Sequence, residues 1–225
     1  MGVTTDLDIA PGDYSLYYSL SQIFNVTSKY IGFIAVFTGV MSLAEERKNH
    51  SINIILSKPL FRKDLIAGKL LGLNCYLLTV IAFSILFTGL ALVLFYFRPT
   101  DSLDYVAKIA IYVLIAFVYA SLNIAIALLI SIIFKDLLIC VSMAMAYIFI
   151  EDYVGWWRIS PFLDNFSPVI AMSNLHFNKA ANLQNTTTTA SQWISANATN
   201  LCFMIAATVL ISLIAMAVFT RSDNT

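Results

Sequence analysis

From Leu70 to Phe97 the chain runs 28 residues without a single charged or histidine side chain. A helix rises about 1.5 Å per residue, so such a run crosses the roughly 30 Å of bilayer hydrocarbon with length to spare and can tilt. Further apolar runs lie at about Tyr30–Leu43 (with an earlier start near Ile23 as the alternative), Tyr105–Phe134, Leu137–Ile150 and Leu201–Phe219. The spacing predicts five spans. The chain of 225 residues is 60% hydrophobic and only 12% charged, against about a quarter charged in ordinary globular domains. So little polar surface cannot enclose that much apolar mass in water. The expected fold is an all-α polytopic bundle of transmembrane helices.

The same composition excludes other classes. No basic patch argues for nucleic acid, and a net charge of zero averages over two sides of a membrane. Cys75, Cys140 and Cys202 each sit inside an apolar run, without CxxC or Cys/His spacing, so they read as small packing residues. No P-loop of the form GxxxxGK[ST] is present, so ATP hydrolysis would have to come from another polypeptide. His50 and His176 are the only histidines and fall in different loops, too few for a metalloprotease centre. No catalytic residue, metal or cofactor is expected.

Loop charge sets the expected orientation. Arg47, Lys48, Lys58, Arg62, Lys63 and Lys69 cluster after the first span, and positive loops stay cytoplasmic. The balanced loop Arg98–Lys108 is then outside and Lys135 inside. The long stretch 151–200 is outside, and Arg221 holds the C-terminal tail, 221–225, inside. Residues 1–29 form an outer N-terminal segment, with Pro11-Gly12 marking a turn and a tyrosine-rich stretch suited to the interface. Glu151-Asp152 closes the short fourth span and belongs at the outer surface or in a protein-lined wet site. The sequence after it, rich in Trp156, Trp157, Phe162 and Phe166, predicts a re-entrant or surface-lying piece. A polar low-complexity loop follows. Asn25, Asn185 and Asn197 each begin an N-x-Ser/Thr pattern, a glycosylation signal that is common by chance. Within the spans only neutral polar residues are expected. Asn123 is the best placed of them for an inter-helix hydrogen bond or a pathway contact.

Glu46–Ser57 predicts a short amphipathic helix with Ile52, Ile55 and Leu56 on one face. Pro59 ends it and Arg62 starts the next helix. The run Glu46-Arg47, Ser51-Ile52, Leu56-Ser57, Pro59, Arg62, Leu65-Ile66, Gly68-Lys69 resembles a signature of ABC transporter permeases of the type-2 exporter class, E-R-E-x-G-T-L-x-x-L-L-S-x-P-x-x-R followed by Gly-Lys. The resemblance spans about two dozen residues without a gap. Lys48, His50 and Ser51 depart from it, replacing an acidic residue, Gly and Thr. The bland alternative is a basic loop that only sets topology.

The resemblance implies a coupling segment over 45–62 that docks on a separate ATP-binding subunit. Glu45, Glu46, Arg47, Lys48, Ser51, Ile52, Pro59 and Arg62 are its expected contacts. It also implies a second permease subunit, identical or not, and surrounding lipid. Members of this class usually have six spans and an inner N-terminus. Here the first span has no counterpart, which reads either as a fragment or as a shortened member. The pair Glu45-Glu46 also invites comparison with CAAX-type intramembrane proteases, E-E-x-x-x-R, but His50 stands in place of that Arg and the downstream histidine motifs are absent. A truncated or non-transporting membrane module is the other alternative.

Overall fold

The computed structural model describes residues 11–48, 62–95, 99, 101–134, 136–154, 167–176, 182–185 and 188–222. They form six α-helices: α1 Pro11–Lys48, α2 Arg62–Phe95, α3 Ser102–Ile133, α4 Leu137–Phe149, α5 Pro168–His176 and α6 Ala190–Ser222. A π-helical turn, Ile150–Val154, extends α4. Four helices contain stretches long and apolar enough to cross a membrane: Leu16–Ala44, Ile66–Phe95, Ser102–Ile133 and Ala190–Phe219. The all-α polytopic bundle expected from composition is therefore the observed architecture. The fourth expected span is α4, whose 13 residues rise only about 20 Å before the π turn.

The first helix differs from the sequence reading. Residues 11–29, expected as a separate outer segment, continue into the first span as one helix of 38 residues. Pro11 stands at its first position, where a fixed φ and a missing N–H cost nothing. No proline follows until Pro59. The polar residues that depress hydropathy here are turned inward: Ser21 and Ser28 are both fully buried. At the other end α1 runs on through Glu45-Glu46-Arg47-Lys48, all good helix formers, so the first residues of the expected helix 46–57 belong to α1. Residues 49–61 lie outside the described residues.

α3 is the axis of the bundle. About 67% of its spanning window is buried, against 11% for α6, whose flank carries exposed Phe203, Leu210 and Leu213. α1 and α3 run parallel and in register. Tyr17 meets Tyr105 with ring centroids 6.0 Å apart, and Phe24 meets Tyr112 at 4.7 Å. A turn or two further, Gly32 lies under Tyr119 and Gly39 under Ala127. The steps of seven and eight residues keep one face of each helix on the other, as in 3.5–3.6-residue packing. At Gly39 a Cβ would stand 2.7 Å from the Ala127 Cβ, so the absent side chain sets the approach.

The α3–α4 connection is short because both ends are capped. Phe134 N donates to Ile130 O at 3.0 Å, closing α3, and Leu138 N donates to the Asp136 carboxylate at 2.8 Å, opening α4. α4 then leans on α1, where Val36 and Val40 bury Cys140 and Ala144.

Candidate functional site

The two ends of the bundle hold different chemistry. At the connector end, where α1 finishes and α2 begins, Lys69 of α2 donates through Nζ to the backbone oxygen of Ser42 and, at 3.3 Å, to its Oγ. This ties together the two helices that flank residues 49–61. Glu45, Glu46, Arg47 and Lys48 form the last turn of α1, and Arg62 is the first residue of α2. Ser51, Ile52 and Pro59 lie outside the described residues.

At the distal end a buried ion pair organises the fold. The ammonium of Lys108 is fully buried, 3.1 Å from the Asp104 carboxylate and 3.1 Å from Asn185 O. It also lies 4.0 Å from the centroid of the Tyr17 ring. The second oxygen of Asp104 accepts from Ala190 N at 3.0 Å, capping α6. One carboxylate thus satisfies a buried cation and a helix N-terminus together. The expectation of only neutral polar residues in the spans fails here. Its signal was in the sequence, as an acid and a base four residues apart on a helix.

Between these ends lies a second polar layer. Asn123 of α3 is buried, donates from Nδ2 to Tyr119 O at 3.0 Å, and accepts at Oδ1 from the Tyr147 hydroxyl of α4 at 2.9 Å. It is the inter-helix hydrogen bond the sequence suggested. Asn74 of α2 likewise accepts from Ser121 Oγ at 2.6 Å.

Glu151 and Asp152, adjacent in sequence, take different roles. Glu151 is buried and caps α5: its Oε1 accepts from Ser167 Oγ at 2.6 Å and from Val169 N at 2.9 Å. A carboxylate at a helix N-terminus is favoured by the exposed N–H groups and the helix dipole. Of the two readings for this pair, the protein-lined site is the one occupied by Glu151. Asp152 has no such partner; its Oδ1 is buried without a hydrogen bond among the described residues. Burial pushes its carboxyl above the usual range, while the Lys29 charge pulls the other way.

Lys29 and Asp152 line two spaces. One is a groove of about 650 Å³ on the bundle's flank between α1 and α4, with Phe33, Met145 and Phe149 among its walls. The other is a cavity of about 60 Å³, enclosed by α1, α3 and α5 and reaching Ser173 and His176. The His176 imidazole shares a 2.8 Å hydrogen bond with Ser21 Oγ, which also accepts from Gln184 Nε2 at 2.7 Å. The rings of Phe24 and Tyr112 flank it at 5.1 and 5.5 Å. Burial holds its pKa down to about 4. Sequence reading assigned no role to Lys29 or His176 because neither sits in a motif; each acquires its setting only through packing. Of the glycosylation patterns, Asn197 is fully buried and donates to Trp193 O, so it offers no accessible acceptor.

Helices of membrane-crossing length around a buried axis, with polar groups paired inside and an apolar exterior, define a polytopic membrane protein. The profile of the ABC-2 family transporter proteins matches residues 12–224, almost the whole chain. The chain belongs to that family, and it is a membrane component of an ABC transporter. None of the curated proteins matches it.

Proposed function

We propose that the chain is the permease subunit of an ATP-driven ABC exporter, with hydrolysis supplied by a separate ATP-binding subunit that docks on residues 45–62. Membership of the ABC-2 family carries this reading, and a sequence that shows no P-loop of its own is consistent with hydrolysis supplied elsewhere. Glu45, Glu46, Arg47, Lys48, Ser51, Ile52, Pro59 and Arg62 are the proposed contacts. The Lys69–Ser42 tie supports coupling, because force on 49–61 reaches α1 and α2 together rather than either alone. Two permease subunits would flank the pathway. Asn123 would line it when α4 separates from α3 and Tyr147 releases the amide. The connector end lies in the cytoplasm with the C-terminus, and the N-terminus lies outside, following the basic cluster.

The test is capture from detergent with the full chain as bait. Recovery of an ATP-binding subunit, lost on Glu46→Ala with Arg47→Ala while membrane insertion persists, supports the docking site. Capture of none by folded protein points instead to a non-transporting module. Loss of insertion in the double variant would reduce the segment to a topology signal.

A further inference from the structure

The groove between α1 and α4 has a polarity along its length. α1 runs toward the connector end and α4 runs away from it, so Lys29 and Asp152 both lie nearer the distal end than Phe33 and Met145. Val26, Tyr30, Ile148 and Phe149 also line the groove. The charged end holds one cation and one anion. Lys29 is exposed on a long flexible stem, suited to a phosphate as a point charge. Asp152 presents a buried oxygen that lacks a donor among the described residues, a costly state that an N–H donor relieves. Glu151 beside it is already engaged by Ser167 and the α5 backbone. His176, across the small cavity, is held neutral at ordinary pH.

We propose that this groove is a binding site for a zwitterionic phospholipid with a primary-amine headgroup, of the phosphatidylethanolamine class. Its phosphate meets Lys29, its ammonium meets Asp152, and an acyl chain runs along Phe33, Met145, Ile148 and Phe149 toward the connector end. A volume of about 650 Å³ falls in the range of small-molecule sites. In a bilayer the chains contribute little selectivity, because lipid tails are as apolar as the wall they leave. Selectivity therefore rests on the head. A phosphoethanolamine carries both complementary charges and three N–H donors. A choline head keeps the charges but cannot donate to Asp152. A glycerol head brings the anion and only neutral hydroxyl donors, so Asp152 gains no cation beyond Lys29. The expected order is ethanolamine over choline over glycerol phospholipids.

This inference goes beyond the transport reading and does not depend on an ATP-binding partner. Its test is native mass spectrometry of the purified full chain after exposure to equimolar phosphatidylethanolamine, phosphatidylcholine and phosphatidylglycerol. Ethanolamine lipid should be retained about tenfold over glycerol lipid, the weight of one charge-assisted hydrogen bond. Asp152→Asn should erase the preference and Lys29→Gln should lower retention of all three lipids, while Phe83→Ala on the α2 flank should change neither. Equal retention of the three lipids by the wild-type chain overturns the proposal, whatever the variants' folding. So does a preference unchanged in well-folded Asp152→Asn. A lipid-independent dimer abolished by both variants overturns it too, and gives the groove to a second copy of the chain.

Discussion

The Tyr147 hydroxyl donates to Asn123 Oδ1 across 2.9 Å, joining α4 to α3, against which the short helix otherwise packs lightly. Tyr147→Phe removes the donor and leaves a buried carbonyl oxygen without it. The expected cost is about 1 kcal/mol, since hydrogen bonds between membrane helices are modest on average. A double-mutant cycle with Asn123→Ala, read as melting in detergent, should return a coupling of the same size. Strict additivity would show that the bond contributes nothing to holding α4.

Lys108 makes a sharper case. Its ammonium is fully buried against Asp104, Asn185 O and the Tyr17 ring. Lys108→Met fills a similar volume but strands the carboxylate, an expected loss of about 3 kcal/mol or more. Asp104→Asn keeps an acceptor for Ala190 N yet leaves the cation without its counter-charge, so it too should destabilise markedly. Lys108→Met combined with Asp104→Asn removes both charges and should recover much of the loss. Thermal unfolding of the three variants checks the order, and a double variant as weak as the worse single one would contradict it.

The glycines divide into two kinds. A Cβ at Gly39 would stand 2.7 Å from the Ala127 Cβ, whereas at Gly72 nothing lies within 4 Å. Gly39→Ala should therefore push α1 from α3 and cost about 1–3 kcal/mol. Gly72→Ala should be neutral or stabilising by up to about 1 kcal/mol through helix propensity. Comparing their melting temperatures separates close packing from propensity.

How far the sequence foretold this arrangement depends on the kind of signal. Uninterrupted apolar runs made α2 and the later part of α6 legible, because length and hydropathy alone decide a span. Helix runs from Arg62 as expected, while the break at Pro59 lies outside the described residues. The early part of α1 was obscured: Ser21, Asn25 and Ser28 lower the hydropathy, yet Ser21 and Ser28 are buried rather than wet. Glu151 and Asp152 are adjacent letters with opposite settings, and only the return of α5 onto the π turn distinguishes them. Likewise the Lys29 groove needs α1 and α4 side by side, a relation between distant parts of the chain that no local pattern encodes.

His176 gives the bundle an acid-sensitive point. In the folded chain burial among Ser21, Phe24 and Tyr112 holds the imidazole pKa down to about 4, from an ordinary value of 6.5. The unfolded chain takes up a proton as pH falls through about 6.5, and the folded chain does so only near 4. Between those values the unfolded state binds more protons, so stability declines on acidification and levels off below about pH 4. The full loss is about 3 kcal/mol. Asp152, across the small cavity, has a raised carboxyl pKa and acts in the opposite sense, gaining its proton first in the folded state. Lys29 lines the same cavity, and both it and Asp152 are common to the two proteins compared. The difference between wild type and His176→Gln isolates the histidine, because Gln keeps a polar group for Ser21 without titrating. Unfolding of both proteins measured at about pH 7.5, 5.5 and 4, values chosen to bracket about 6.5 and 4, should show the wild type losing its relative stability with acid. Parallel curves would mean that the imidazole is solvated and that α5 does not close over it.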